Sequence, residues 1–191
     1  MPRALFPQIA TETFGGPPEG GIVFSLLFAA LAAGSALAGI FSGWVSKVER
    51  QGLAVIVAII VWGAAMTIFG FALPFASGFW MAALIVALFG LALGGGADII
   101  SAAFRSTMLQ EAASDDMRGR VQGVFIVVVA GGPRIADIVH GYAAEATTTT
   151  IASAGGGIAV IVLVLICAAV FPAFRRYRVE RGGADETRSV A

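Results

Sequence analysis

Five long apolar runs dominate this sequence, over residues 21–45, 52–72, 79–98, 121–144 and 151–174. A helix needs about 20 such residues to cross a hydrocarbon layer of about 30 Å. The runs are longer than ordinary strands, and none alternates apolar with polar residues, which argues against a membrane β-barrel. The sequence therefore predicts an all-α integral membrane protein with five transmembrane helices.

The composition supports a membrane protein and argues against other classes. Of the 191 residues, 58% are hydrophobic and 13% are charged, whereas soluble domains average about 45–50% apolar and about 25% charged residues. Twelve basic and twelve acidic residues cancel, so no net charge points to nucleic acid as a partner. Cys167 is the one cysteine and cannot form an internal disulfide, and a single histidine argues against a metal site. We expect no metal and no cofactor.

The chain divides into three predicted regions. Residues 1–20 lack the basic start and apolar core of a cleavable signal. Their prolines and glycines predict an irregular, exposed segment outside the membrane, with one helical turn around Leu5. Residues 21–175 are predicted to form the transmembrane bundle, and residues 176–191 a basic, disordered cytoplasmic tail.

Basic residues occur in alternate loops, which predicts the orientation of the chain. Lys47 and Arg50 follow the first span, Arg118 and Arg120 precede the fourth, and an arginine-rich tail follows the fifth. The turns between these loops carry no lysine or arginine. Because positively charged loops stay in the cytoplasm, five crossings place the N-terminus outside and the C-terminus in the cytoplasm. We expect a multi-pass protein of the plasma membrane, that is, the cytoplasmic or inner membrane.

Small residues recur at four-residue spacing in two of the spans. Gly39 and Gly43 share a face at the end of the first span, with Ser35 one step earlier, and Gly90 and Gly94 share a face in the third. This spacing lets a neighbouring helix approach closely. The alternative is that these residues face lipid, because the spacing arises easily in helices rich in alanine and glycine.

Several motifs resemble those of a known transporter family. They are residues 104–107 (FRST), Gln110, residues 115–120 (DDMRGR), residues 131–134 (GGPR), Asp137 and the turn over residues 42–52. Together they look like the second half of major facilitator superfamily exporters, and they are most similar to the enterobactin-exporter-like and actinobacterial drug-efflux branch. The resemblance implies a twelve-helix bundle of two parallel repeats. The five spans match helices eight to twelve, residues 1–7 resemble the outer end of a truncated seventh helix, and the first half is missing.

On that plan, one cluster of charges is interpreted as a cytoplasmic gate. Asp98 and Arg105 are seven residues apart and share a helix face across two turns. The residues assigned to the gate are Arg105, Asp115, Asp116, Arg118 and Arg120. Their ion pairs would close in one transport state and separate in the other. The alternative is that the arginines only anchor the loop in the cytoplasm.

A second group of charges lies inside the fourth span. It consists of Arg134, Asp137 and His140, after a predicted helix break at Gly131, Gly132 and Pro133. In the functional interpretation Asp137 binds and releases the coupling proton, Arg134 acts on it electrostatically and His140 relays protons. Asp98, deep in the third span, is a further coupling candidate. The alternative is a structural pair of Arg134 with Asp137 that joins helices, with His140 near the outer headgroups.

These features predict a secondary active transporter that exports a small amphipathic molecule, such as a drug or siderophore, in exchange for protons. The expected partners are the lipid bilayer, the small-molecule substrate, protons, and either the missing first half or a second copy of the chain. The alternative is a truncated, non-transporting remnant, or a half-transporter subunit that needs a partner half. The chain has no HExxH motif and no GxSxG motif with a partner histidine, so we do not expect an enzyme.

Overall fold

The computed structural model describes residues 3–17, 21–112 and 118–177. Asp115 and Asp116 of the predicted gate lie outside these ranges, as does the predicted tail beyond residue 177. Only the backbone of Arg118 is described. Five long helices make up most of the described chain: α2 (Ile22–Ile40), α3 (Gln51–Ala72), α4 (Trp80–Ala112), α5 (Arg118–Ala146) and α6 (Thr149–Val170). Two short helices, α1 (Phe6–Gln8) and α7 (Pro172–Arg176), lie before and after them.

All five long helices are long and apolar enough to cross a membrane. The described ranges contain no β-strand, so the predicted all-helical class is confirmed, and the five spans indicate a multi-pass membrane protein. Short connections make successive helices run in opposite directions. The ends of α2, α4 and α6 and the starts of α3 and α5 therefore lie on the same side of the bundle. We call this side the basic face, because several basic residues of the described chain lie there. This basic face carries Lys47, Arg50, Arg120, Arg175 and Arg176.

Small residues let α2 pack closely against α4. A Cβ built on Gly34 would overlap the carbonyl group of Ala92, and one on Gly95 would overlap the carbonyl oxygen of Leu31. The Ser35 hydroxyl donates a hydrogen bond of 3.1 Å to the Gly95 carbonyl oxygen. Close backbone approach and hydrogen bonds of this kind hold helices together where lipid removes the hydrophobic driving force.

Helix α3 lies between α4 and α6 and packs against both through glycines. A Cβ on Gly90 of α4 would lie 3.0 Å from the Ala65 carbonyl oxygen, and one on Gly94 would overlap the Met66 side chain. On the other side, a Cβ on Gly63 would lie 2.8 Å from the carbonyl oxygen of Gly157 in α6. The predicted close packing at Gly90 and Gly94 is therefore confirmed.

The predicted packing role of Gly39 and Gly43 is not found. Nothing lies within 4 Å of a Cβ built on either residue, and both are exposed. Helix α2 ends at Ile40, so Gly43 belongs to the following 3-10 helix, Ser42–Lys47. The close contact between α2 and α4 is made one to two turns earlier, at Gly34 and Ser35.

The predicted helical turn around Leu5 is found, but the segment is helical from Arg3 to Thr13 and partly buried, which corrects the predicted irregular, exposed course. A 3-10 turn (Arg3–Leu5), α1 and a π-helical turn (Ile9–Thr13) follow one another without a gap. Phe6 and Ile9 are fully buried, and the Phe6 ring lies 5.0 Å from the Phe28 ring, edge to face. Pro7 does not interrupt the segment because it stands in the first turn of α1, where no backbone N–H is needed.

The predicted helix break in the fourth span is also absent. Helix α5 runs without interruption from Arg118 to Ala146, and Pro133 lies inside it. Nothing lies within 4 Å of a Cβ built on Gly131 or Gly132. Pro133 removes one backbone hydrogen bond from the turn before it, but the bonds of the neighbouring turns continue on either side, so the helix is kept.

Candidate functional site

Helix α4 places Asp98 and Arg105 near the basic face. The helix has 33 residues, which at 1.5 Å per residue is about 50 Å and exceeds a hydrocarbon layer of about 30 Å. Asp98 lies about 27 Å along the helix from Trp80, and Arg105 about 38 Å. If Trp80 marks one edge of the membrane, Asp98 lies close to the other edge and Arg105 lies beyond it.

Asp98 and Arg105 share one face of α4, as predicted. Arg105 Nη2 lies 4.0 Å from Asp98 Oδ1, and the two side chains are 38% and 47% exposed for Arg105 and Asp98. Arg105 Nε also donates a hydrogen bond of 3.3 Å to the Ser101 carbonyl oxygen. A long, half-exposed ion pair stabilises by at most about 1 kcal/mol. The pair can therefore separate at little cost in free energy.

Two cavities lie between the end of α4 and the beginning of α5. One of about 510 Å³ is lined by Arg120 together with Leu109 and Phe125. The other, of about 380 Å³, is lined by Arg105 together with the same Leu109 and Phe125. Two of the predicted gate residues thus line cavities that share Leu109 and Phe125. The structure does not describe the Arg118 side chain.

The three ionisable residues of α5 do not form the predicted pairs. Arg134 is exposed and Asp137 is half-buried. Asp137 Oδ1 is shielded from solvent and has no hydrogen-bond partner. Within the described ranges the ion pair on α4 is the one found, so Arg134 and Asp137 are not joined. The three-residue spacing brings the two side chains to one side of the helix, but it does not make the long arginine side chain fold back onto the carboxylate.

His140 is held between α5 and α6 by two contacts. Its Nδ1 lies 2.7 Å from the Ala136 carbonyl oxygen. Because a carbonyl oxygen only accepts, Nδ1 carries the hydrogen, and Nε2 is the nitrogen left to accept a proton. The ring lies against Gly156 of α6, where a Cβ would overlap Nε2. His140 is thus part of a helix contact, and it makes no hydrogen bond to Asp137 among those described.

The contact of His140 with Gly156 was not predicted from the sequence, although a run of glycines signals close packing there. Residues 155–157 are three consecutive glycines, which indicate flexible or closely packed helix. In the structure each has a different environment. Gly155 faces open space, Gly156 seats His140, and Gly157 meets the backbone of α3 at Gly63. A run of glycines does not by itself reveal which of its members contacts a functional side chain.

The described residues hold no group of three histidine, cysteine, aspartate or glutamate side chains close enough to bind a metal ion. Comparisons with known protein families, with curated proteins and with solved structures give no match to the chain. The resemblance to a transporter family therefore depends on the sequence motifs alone.

Proposed function

We propose that the chain is the C-terminal half of a major facilitator superfamily exporter and takes part in the proton-coupled efflux of a small amphipathic molecule. The observation that supports this most directly is the state of Asp137. Its carboxylate lies within a membrane-spanning helix, and one oxygen is shielded without a partner. The basic face is cytoplasmic in this proposal, as the distribution of basic residues favours.

The energetics of Asp137 favour a proton-binding role. An aspartate at the centre of a membrane helix costs about 2.5–3.5 kcal/mol on insertion scales, and Asp137 lies about one turn from the centre of its apolar run. An ion pair or a set of hydrogen bonds lowers that cost, but the shielded oxygen has neither. Protonation removes the charge, and a later loss of the proton restores it, so the residue can exist in two states that differ in free energy. Such a difference is what couples a proton to a conformational change.

His140 and the α4 pair have supporting roles in this proposal. His140 lies three residues beyond Asp137, and its Nε2 is the nitrogen available to receive a proton. At the basic face, Arg105 and Arg120 line adjoining cavities, and the weak contact of Arg105 with Asp98 breaks and reforms as the gate opens and closes.

The experiment that tests the proposal is the substitution Asp137→Asn in the native protein. Inverted membrane vesicles are given an imposed proton gradient, and the uptake of a panel of amphipathic fluorescent dyes is measured. We expect Asp137→Asn to abolish gradient-driven uptake because asparagine has the same shape but cannot release a proton. The amount of inserted protein should not change, since no ion pair is lost.

Glu145→Gln is the matched control, because Glu145 is an exposed acidic residue on the same helix. It should leave uptake unchanged. If Asp137→Asn vesicles took up dye as the native vesicles do, Asp137 would carry no coupling proton. The structural interpretation of the charges on α5 would then be preferred.

The second candidate is a half-transporter subunit that works only with a partner half. The surface of α5 favours it: none of the most apolar stretch of this helix is buried, and large side chains such as Val127 and Tyr142 are more than two-thirds exposed. A C-terminal tag on the chromosomal copy, followed by immunoblotting of membranes, tests this candidate. A band near 19.5 kDa would support it, whereas a band near twice that mass would show both halves in one polypeptide.

A further inference from the structure

A cavity of about 290 Å³ at the basic face is lined by three arginines. They are Arg50, Arg175 and Arg176, and the fourth lining residue is Leu53. Arg50 immediately precedes α3, whereas Arg175 and Arg176 end α7. The residues come from parts of the chain more than 120 positions apart, so the cluster exists only in the folded bundle.

A close contact between backbones holds this cluster together. A Cβ built on Gly52 would overlap the Phe174 carbonyl oxygen and would lie 3.4 Å from Tyr177 Cβ. Helix α7 thus rests directly on the first turn of α3. Pro172 opens α7, after the chain turns at Phe171. A glycine at position 52 is required for this contact, which places Arg175 and Arg176 beside Arg50.

The three arginines of the cavity form no ion pair within the described chain. None of the three guanidinium groups has a carboxylate within 4.0 Å among the described residues, where the ion pair on α4 is the one found. Like charges around one cavity repel each other. Arg50 also provides no side-chain cap for α3, so the positive end of the helix adds to the same potential. The site therefore favours an anion.

The position of the cavity favours an anion that also has an apolar part. It lies at the end of two membrane-spanning helices, and Leu53, Phe171 and Phe174 expose apolar surface next to the arginines. A ligand that fits both surfaces has a negatively charged head and apolar chains. Arginine binds phosphate oxygens in pairs, and basic pockets between membrane helices bind lipid headgroups.

We propose that the cavity formed by Arg50, Leu53, Arg175 and Arg176 binds the phosphate headgroup of an anionic membrane lipid. The lipid's acyl chains lie along the apolar ends of α3 and α6. Its negative charge offsets part of the positive charge of the three arginines and keeps α7 against α3. The site is separate from the charged residues of α4 and α5, so it holds whether or not the chain transports protons.

Native mass spectrometry of the full-length chain in a neutral detergent tests this site. The protein is mixed with equal amounts of phosphatidylglycerol and phosphatidylcholine that have the same acyl chains. We expect the native protein to retain phosphatidylglycerol preferentially. Since each basic residue near an anionic lipid contributes about 1 kcal/mol, Arg50→Gln, Arg175→Gln or Arg176→Gln should each lower that preference about fivefold.

Lys47→Gln is the matched control, because Lys47 is an exposed basic residue of the same face that does not line the cavity. It should leave the preference unchanged. An equal loss in Lys47→Gln would mean that lipid is attracted by the whole basic face, and the site would be refuted. Equal binding of both lipids by the native protein would refute it as well.

Two further measurements separate loss of the site from misfolding, and a lipid phosphate from free phosphate. Arg175→Lys and Arg176→Lys keep the charge and the helix, but they lose the paired geometry, and we expect a smaller decrease than with glutamine. A lysine variant with undiminished preference would contradict recognition by paired arginine donors. Complete displacement of phosphatidylglycerol by an equal concentration of inorganic phosphate would show a site for free anions, and the lipid proposal would be wrong.

Discussion

Helices α3 and α5 are similar in length and both are apolar, yet their surroundings differ. Of the most apolar stretch of α3, 44% is buried inside the protein, whereas none of the corresponding stretch of α5 is. Gly63 and Gly70 of α3 meet the backbone of α6, but Gly123, Gly131 and Gly132 of α5 face open space. Apolar composition brings a helix into the membrane, and it does not decide whether another helix covers it.

The difference matters because the loosely packed helix carries the ionisable residues. Helix α3 has no charged side chain, whereas α5 has Arg134, Asp137 and His140 in its second half. Elements with few buried contacts are the ones that move at low cost in free energy. In the proposed transporter, α2, α3, α4 and α6 are the rigid part, and α5 is the part whose position responds to protonation.

The largest expected effect concerns the packing of α3 against α6. Gly157→Leu should lower the free energy of unfolding by about 3 kcal/mol, because a side chain at this position meets the backbone of Gly63 and Thr67. Thermal unfolding in detergent measures the change. Gly155→Leu, two residues away and facing open space, is the control and should be nearly neutral. Equal effects of the two substitutions would show that α3 and α6 are not in close contact.

A smaller effect is expected where α5 meets α6. Gly156→Ala places a methyl group where the His140 ring lies, and should cost about 1–2 kcal/mol. A double-mutant cycle tests this contact: in a His140→Ala background the same substitution should cost almost nothing. If the cost of Gly156→Ala were the same with and without His140, the result would contradict the contact between the imidazole ring and α6.

The smallest effect is expected at the ion pair of α4. Asp98→Asn should change the free energy of unfolding by less than about 1 kcal/mol, since both partners are more than one-third exposed and the closest atoms are 4.0 Å apart. Arg105→Gln should have an effect of the same size. A loss several times larger would assign the pair a structural role and would argue against a gate that opens and closes easily.

The sequence predicted the features that depend on local composition. Five apolar runs became five long helices, because a polypeptide in lipid must satisfy its backbone hydrogen bonds internally. The shared face of Asp98 and Arg105 followed from helix geometry alone. The packing of Gly90 and Gly94 was also predicted, since small residues at helix contacts are a general property of membrane proteins.

The incorrect predictions concern features that depend on neighbours. Gly39 and Gly43 have the same spacing as Gly90 and Gly94, but a Cβ on either residue would meet nothing within 4 Å. Pro133 does not interrupt α5, and the predicted exposed segment at the N-terminus is partly buried through Phe6 and Ile9. A proline or a glycine restricts or frees its own backbone, and the outcome depends on the turns and helices around it.

What the sequence determined by itself is therefore the helical class, the number of spans and the one-dimensional positions of the charges. Only the tertiary structure decided which of these residues meet. It placed the His140 ring against Gly156, and it brought Arg50 together with Arg175 and Arg176. The physical reason is that hydropathy and helix periodicity are properties of one segment and its solvent, whereas a contact depends on the relative positions of segments far apart in the chain.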